Sequence, residues 1–360
     1  MRALRKVNPG PGFEMVEVPT PVVGPDDVLI EVLATSICGT DLHILDWDPW
    51  AADHVKTPVT VGHELTGLIV DSGDNVDEPD LGELVSVESH IICNLCSWCR
   101  TGQGHLCSGT ELLGVDRDGA FAEYIVVPAQ NAWPNPPDMP LSIASLQENF
   151  GNAVHTATVP DVAGRTVLVT GSGPVGLMAI AVAKAIGAHA VYCTDLSDYR
   201  LDLAVTMGAD LALNPVKDDV AAVIADATGG EGVDVLFEMS GAPAAIETGF
   251  ALLKPGGEAA LLGLTSKRIE FDLDDNIIFK GATVYGIVGR RLFDAAGGTE
   301  PATWLEMRRL IQSGVVDLAP VVTHRFGLDD YGKAFELMAS GECGKVVMFP
   351  DPSLADGPLS

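Results

Sequence analysis

Four cysteines at Cys93, Cys96, Cys99 and Cys107, spaced Cx2Cx2Cx7C, form the densest run of chemically capable side chains in the chain. Four soft thiolates this close in sequence can wrap a tetrahedral Zn²⁺ and leave no open coordination position, which is the pattern of a structural metal site. Iron–sulfur ligation is the competing metal reading, and four buried thiols in one loop is the metal-free one. A second group lies upstream, in Cys38-Gly39-Thr40-Asp41-Leu42-His43 and Gly62-His63-Glu64. One thiol, one imidazole and one carboxylate could hold zinc and still leave room for a water or substrate oxygen, as catalytic zinc requires. A buried Cys38 and a satisfied core His63 account for the same residues without a metal. Glu148, in Gln147-Glu148-Asn149-Phe150, is a further carboxylate near an apolar run and a change of pattern. A helix cap or a solvated side chain would explain it equally well.

A third constellation is Val169-Thr170-Gly171-Ser172-Gly173-Pro174-Val175-Gly176, a GxGxxG turn between an apolar strand pattern and a helical one. Gly171 permits the tight turn, Gly173 lets the backbone approach a pyrophosphate, and Gly176 lets helix and strand pack closely. The helix N-terminus then attracts the phosphate charge. Asp195 ends the next strand pattern, 19 residues beyond Gly176. Its carboxylate can accept hydrogen bonds from ribose hydroxyls and repels a 2′-phosphate, which favours NAD over NADP. Arg200 could cover an adenine face, or pair on a helix surface with Asp198 or Asp202.

These groups need two kinds of scaffold. Up to about residue 150 the chain is β-rich and punctuated by Gly and Pro, with strand patterns at Val28–Leu33 and Thr66–Val70. From Gly151 on, short apolar strands (Thr166–Thr170, Ala190–Thr194, Val233–Glu238, Ala259–Gly263) alternate with helical runs. That alternation predicts a parallel sheet covered on both faces. Helices are expected over Thr303–Ser313 and Asp329–Ala339, and a last strand over Lys345–Phe349. A length of 360 residues with 47% hydrophobic and 20% charged residues predicts two domains with real cores and excludes a disordered or fibrous chain. The net charge of −29 argues against nucleic-acid and anionic-membrane partners. Acidity spread along a hydrophobic chain also suits a salt-rich cytoplasm, with an ordinary acidic enzyme as the alternative. Met1–Lys6 is followed by no apolar run, so no secretory leader is expected. Clustered cysteines in a long chain point to metal in a reducing compartment.

The joint pattern resembles the zinc-dependent medium-chain alcohol dehydrogenase family. The resemblance is carried by Ser36–His43, Asp46-Trp47-Asp48-Pro49-Trp50, Val61–Glu64, Gly119–Tyr124, Phe150–Ala157, Glu238–Pro243, Ile311–Gly314 and Thr323–Phe326. It implies an α/β protein with a GroES-like β-rich catalytic domain, residues 1–150 and 290–360, and an inserted Rossmann doubly wound parallel-sheet domain, residues 151–289. By this similarity Cys38, His63 and Glu64 are catalytic-zinc ligands, and Glu148 is one that comes and goes. Thr40 and His43 form the proton relay, and Cys93, Cys96, Cys99 and Cys107 hold structural zinc. Gly171, Gly173, Val175, Gly176, Asp195, Arg200, Leu262, Gly263, Leu264, Gly286 and Ile287 line the NAD site. His90 lies near the substrate or orients a neighbour. Segment Asp294–Pro301 reads as an insertion, and Asn149 stands where the family often has proline.

The expected chemistry is oxidation of a secondary alcohol with hydride transfer to NAD, with one catalytic and one structural zinc per chain. L-threonine, giving 2-amino-3-oxobutanoate, is the expected substrate. A polyol or sugar (2,3-butanediol, sorbitol or glucose) is the alternative within the family, and a non-catalytic nucleotide-binding protein is the alternative outside it. A homotetramer in the cytoplasm is the expected form.

Overall fold

Strand Asp27–Ser36 sets the frame of the first unit. Its residues alternate between half-buried and buried, with Val28, Ile30, Val32 and Ala34 pointing inward, as a period-two strand does when one face meets the core. In the computed structural model, which describes residues 1–265, 268–289 and 302–355, this strand is central to a seven-stranded sheet. The order runs Ala132–Pro134, Leu84–Val87, Leu65–Ser72, Asp27–Ser36, Lys345–Phe349, Val322–Gly327, and Tyr124–Pro128 also pairs with Asp27–Ser36. One core lies on this sheet among Val28, Ile30, Leu65, Ile69, Val85 and Val127. A second gathers Leu4, Phe13, Ile37, Ile44, Phe121 and Phe335. Each such buried side chain contributes about 1.5–3 kcal/mol relative to exposure.

Two short helices follow the central strand. Helix α1 spans Gly39–Asp46 and helix α2 spans Pro49–His54. Trp47 ends α1 in the left-handed region at φ 56°, so the chain reverses at once. Asp48 then caps α2, accepting from Ala51 N–H at 2.9 Å, with Pro49 in the first helical position. Both are standard starts: a side-chain oxygen satisfies an orphan N–H, and proline has no N–H to lose. The segment Asp46–Trp50 therefore ends one helix and starts the next.

The second unit is a six-stranded parallel sheet of β1 (Thr166–Thr170), β2 (Ala190–Thr194), β3 (Leu211–Leu213), β4 (Val233–Glu238), β5 (Leu253–Leu261) and β6 (Thr283–Gly286). The strand order is β3-β2-β1-β4-β5-β6, and every pairing is parallel. That is the doubly wound dinucleotide-binding topology, with its switch point between β1 and β4. Val167, Leu168 and Val169 of β1 are all fully buried, as a strand covered on both faces requires. Helix Pro174–Ala185 is apolar almost all round and buries Leu177, Met178, Ala179, Ile180, Val182 and Ala183, the composition of a helix packed inside a domain.

The chain divides at Glu148/Asn149 and at Val321/Val322. The second division corrects the boundary expected at residue 290. Helix Ala302–Gln312 and the turn Ala319–Val321 fold with the parallel-sheet unit. The turn packs on helices Pro174–Ala185 and Asp198–Thr206, and Trp304, Met307, Leu310, Val316 and Leu318 are buried. The first unit resumes only where Val322–Gly327 joins its sheet. The expected insertion at Asp294–Pro301 lies outside the described residues. Among those described, no helix is long and apolar enough to cross a membrane.

Candidate active site and metal centres

The first candidate centre is built by three strand ends and one helix start in the β-rich unit. Cys38 is the N-cap of α1, in extended conformation at φ −104°, which leaves its thiol at the helix entrance. His63 and Glu64 follow Gly62, whose φ of +89° suits glycine. A Cβ at Gly62 would lie 2.3 Å from the Phe121 ring, so this turn cannot carry a side chain. Among the described residues, ligand atoms of Cys38, His63 and Glu64 lie within 4.8 Å of one another, and His63 and Glu64 are buried. A sulfur, a nitrogen and an oxygen so placed are the donor set of a three-ligand zinc centre with one position left for water or substrate.

The surroundings fit a cation. His63 Nδ1 has no hydrogen-bond partner and faces Asp41 Oδ1, also without one, across 3.8 Å. A carboxylate behind a ligating imidazole is the usual orienting arrangement. Asp41 is fully buried; burial raises its pKa to about 6, against the pull of His63. For His63, burial works against the charged ring, but Asp41 and then Cys38 outweigh it and raise the pKa to about 10. The same negative groups that hold this proton would favour a divalent cation, which must displace it to bind.

Glu64 is completely buried and grips Lys345, with Nζ 2.8 Å from Oε1 and 2.6 Å from Oε2. Ser36 Oγ–H also donates to Glu64 Oε2, and Thr35 Oγ1–H donates to the Glu64 carbonyl at 2.6 Å. Lys345 is buried too. Burial opposes its charge, but Glu64, foremost among nearby anions, raises its pKa. Glu148 stands outside the three-ligand group; its Oε1 accepts from Ser89 Oγ at 2.9 Å. His90 is next to Ser89 and is held by Glu88 Oε1, 2.9 Å from its backbone N and 3.1 Å from Nδ1. Thr40 Oγ1 lies 3.8 Å from Cys38 Sγ. Thr40 and His43 are three residues apart on α1, hence neighbours on one helix face.

The second centre gathers Cys93, Cys96, Cys99 and Cys107 within the same 4.8 Å limit. Backbone N–H groups aim at the sulfurs: Cys93 and Gly109 at Cys107, both 3.3 Å, and Cys96 at Cys93, 3.4 Å. Such donors favour the thiolate. The Cys99 N–H leads the causes that draw the Cys96 thiol down to about 6, while burial and then Cys96 push Cys99 up to about 12. Four sulfurs this close, several facing backbone N–H donors, form a donor set suited to a soft metal that displaces the thiol protons.

In the second unit, Gly171 follows β1 at φ +93°, and a Cβ there would lie 2.8 Å from Ser240 Cβ. At Gly176 a Cβ would lie 2.1 Å from the Gly171 carbonyl oxygen. At Gly173, by contrast, a Cβ meets nothing within 4 Å. Gly173 caps helix Pro174–Ala185 without any side-chain hydrogen bond, so the open space and the bare helix start form a cradle suited to a phosphate. Val175 lies in the first turn of that helix. Asp195 accepts from Ser172 N–H at 2.8 Å and Ser197 N–H at 2.9 Å. It therefore ties the glycine turn to the end of β2, and a carboxylate has lone pairs left for a ribose. Arg200 sits in the first turn of helix Asp198–Thr206, whose Asp198 is engaged by Asn214 and Lys217. Leu262 and Gly263 N–H groups donate to the Glu238 carbonyl, and Ile287 N–H to that of Leu261. With Leu264 and Gly286 they lie at the carboxyl ends of β4, β5 and β6, the edge where open α/β sheets take ligands.

Spacing did not point to Asp41, Lys345, Ser36 or Ser89. Asp41 and Ser36 lie inside a quoted motif, Ser36 at the end of the strand that leads to Cys38; Ser89 comes from the bend after strand Leu84–Val87 and Lys345 from the start of the last strand, and burial marks both.

A zinc-binding dehydrogenase family model matches residues 174–313, and an alcohol dehydrogenase GroES-like domain model matches residues 24–137. The chain belongs to the zinc-dependent medium-chain alcohol dehydrogenase family. It is 49% identical over 348 residues to the L-threonine 3-dehydrogenase of Pyrococcus horikoshii, covering 96% of this chain and 98% of that protein. To the L-threonine 3-dehydrogenase of Symbiobacterium thermophilum it is 48% identical, covering 98% of both. Among solved structures, 2R,3R-butanediol dehydrogenase from Bacillus subtilis superposes with a TM-score of 0.84 at 28% identity, covering 97% of this chain and 99% of that one.

Proposed function

We propose that this chain oxidises the secondary hydroxyl of L-threonine to give 2-amino-3-oxobutanoate, with NAD as hydride acceptor. The observation that carries this reading is identity near one half, over almost the whole chain, to L-threonine 3-dehydrogenases. Cys38, His63 and Glu64 would hold zinc as a Lewis acid for the substrate hydroxyl, and the Gly171–Gly176 turn would hold NAD as hydride acceptor. Thr40 Oγ would take up the hydroxyl proton by hydrogen bonding, and His43 would carry it outward from the same helix face. Glu148 would keep its carboxylate beside this set through Ser89, and His90 would border the substrate. Cys93, Cys96, Cys99 and Cys107 would hold a second zinc that folds their loop. The test is a substrate panel of L-threonine, 2,3-butanediol, sorbitol and glucose, each with NAD and NADP. A preference for any polyol over L-threonine sinks the substrate assignment.

NAD preference rests on Asp195. Asp195→Ala should weaken NAD binding and relax the rejection of NADP, since the carboxylate offers ribose hydrogen bonds and repels a phosphate. Because Asp195 also holds Ser172 N–H, some loss of affinity for both cofactors should accompany the switch. Equal efficiency with both cofactors before substitution would contradict the role.

We propose a salt-adapted cytoplasmic homotetramer, and the acidic surface supports the salt adaptation. Edge strand β6 supports subunit pairing: Val284 is exposed and its outer backbone edge is unpaired among the described residues. With a charge of −29 per chain, neighbouring subunits repel, and the Debye length shrinks from about 10 Å at 0.1 M to about 3 Å at 1 M. Raising KCl over that range should raise the melting temperature and preserve the oligomer in sedimentation. A neutral osmolyte separates screening from salt-strengthened burial. Equal stability and assembly at both salt levels would mean that the acidity is merely tolerated.

A further inference from the structure

The Asp46–Trp50 segment bears on α1 in a way that the site described so far does not use. His43 Nδ1 lies 2.8 Å from Asp48 Oδ2. The other oxygen, Oδ1, accepts from Ala51 N–H at 2.9 Å as the cap of α2, and the Asp48 N–H donates to the His43 carbonyl at 3.2 Å. The carboxylate is therefore held by backbone at both ends of the residue and cannot swing away from the ring. Burial opposes its charge, but Ala51 N–H, then His43, outweigh it and lower its pKa.

The loop that delivers Asp48 is itself clamped. Trp47 adopts φ 56° and turns the chain back on α1. Buried Lys6 lies 4.9 Å from the centre of the Trp47 ring, and donates to the carbonyls of Gly10, Gly12 at 3.0 Å and Leu45 at 3.5 Å. Trp50 sits 6.2 Å from the His43 ring and stacks on His54 at 5.1 Å. The His43 side chain keeps 35% exposure, so the ring is not sealed from solvent.

We infer that Asp48 is a positioning residue that holds His43 as the Nδ1–H tautomer, leaving Nε2 as the atom that accepts and releases the relayed proton. This rests on the relay reading of His43. The physical reason is that a carboxylate only accepts, so the nitrogen facing it must carry hydrogen and the other nitrogen of a neutral ring must then be the acceptor. One proton arrives at Nε2, forming an N–H bond and an imidazolium, and that bond breaks as the proton passes to solvent, so the ring returns to its neutral Nδ1–H form.

Two substitutions test this in the full-length holoenzyme. Asp48→Asn keeps the cap, since asparagine caps as well as aspartate, but can present N–H to Nδ1 and so reverses the tautomer. Asp48→Ser keeps a cap and removes the group facing the ring. The ring is read by nitrogen NMR of histidine-labelled protein, with a His43→Gln sample to assign it, beside kcat and the KM for NAD. We expect Nδ1–H in the parent, Nε2–H in Asp48→Asn, and about 10²-fold or greater loss of kcat in that variant, with the KM for NAD little changed. In Asp48→Ser the tautomer should become mixed, with an intermediate loss. An unprotonated Nδ1 in the parent, or an unchanged tautomer in Asp48→Asn, overturns the inference. A reversed tautomer with unchanged kcat upholds the positioning role and instead defeats the relay reading of His43.

Discussion

Lys345→Met is expected to destabilise the β-rich unit by about 3–5 kcal/mol, the usual cost of removing one partner of a buried ion pair. Lys345 and Glu64 are 1% and 0% exposed as side chains, and Nζ reaches both carboxylate oxygens at 2.8 and 2.6 Å. Methionine fills nearly the same volume, so the loss is electrostatic. It would remove the ammonium that both Glu64 carboxylate oxygens face, and the variants are compared as metal-free protein so that no zinc offsets the stranded charge. A domain's whole stability is typically about 5–15 kcal/mol, so this one atom should decide much of it. The double variant Glu64→Gln with Lys345→Met should recover most of the loss, because a neutral pair needs no counter-charge. Denaturant unfolding of the four corners of this cycle measures the coupling. A single-variant loss below about 1 kcal/mol would place the pair with exposed salt bridges, contrary to its burial.

The contrast between Lys345 and the glycine turn explains what could be read in advance. The turn Gly171–Gly176 is local: a strand, a turn and a helix within one stretch, each glycine answering a short-range steric demand. Strands β1, β2 and β4 and the last strand, Lys345–Phe349, have the bounds that their apolar runs mark in sequence. The four-cysteine loop is local too. Lys345 pairs with a residue 281 positions away, and nothing around it in sequence distinguishes it from a surface lysine at a strand start. Lys6 is the same case, a buried cation satisfied by carbonyls of Gly12 and of Leu45 in the last turn of α1. The boundary near residue 290 failed for a related reason. The resemblance put the exit there, but the apolar face of helix Ala302–Gln312, with Met307 and Leu310 buried, belongs to the unit that precedes it, a grouping that no local pattern marks. Asp48 lay in view inside a motif, yet its bond to His43 depends on the reversal at Trp47, a left-handed residue that the sequence does not announce.

The other large effect concerns the cysteine loop. Cys107→Ser is expected to release the loop's zinc and unfold the loop while sparing the Cys38 centre. Little else orders this segment. Its only α-helix, Ser97–Arg100, is four residues long, far too short to stand alone. Leu95, Trp98 and Leu106 are 71%, 44% and 37% exposed, so apolar burial contributes little. Zinc binding to small folding units is worth on the order of 10–16 kcal/mol, and here that energy is shared with folding. At Cys107, burial opposes the thiolate, but the N–H groups of Cys93 and Gly109 outweigh it and lower the pKa. A serine hydroxyl in that place is a hard, protonated oxygen, unsuited to a set of soft thiolates. The readouts are zinc content, trypsin cleavage at Arg100 and turnover with NAD. We expect half the zinc to be lost and the loop to be cut rapidly, with turnover persisting until cleavage. A variant that keeps its full zinc and a protease-resistant loop would show that the four thiols are not the loop's folding energy.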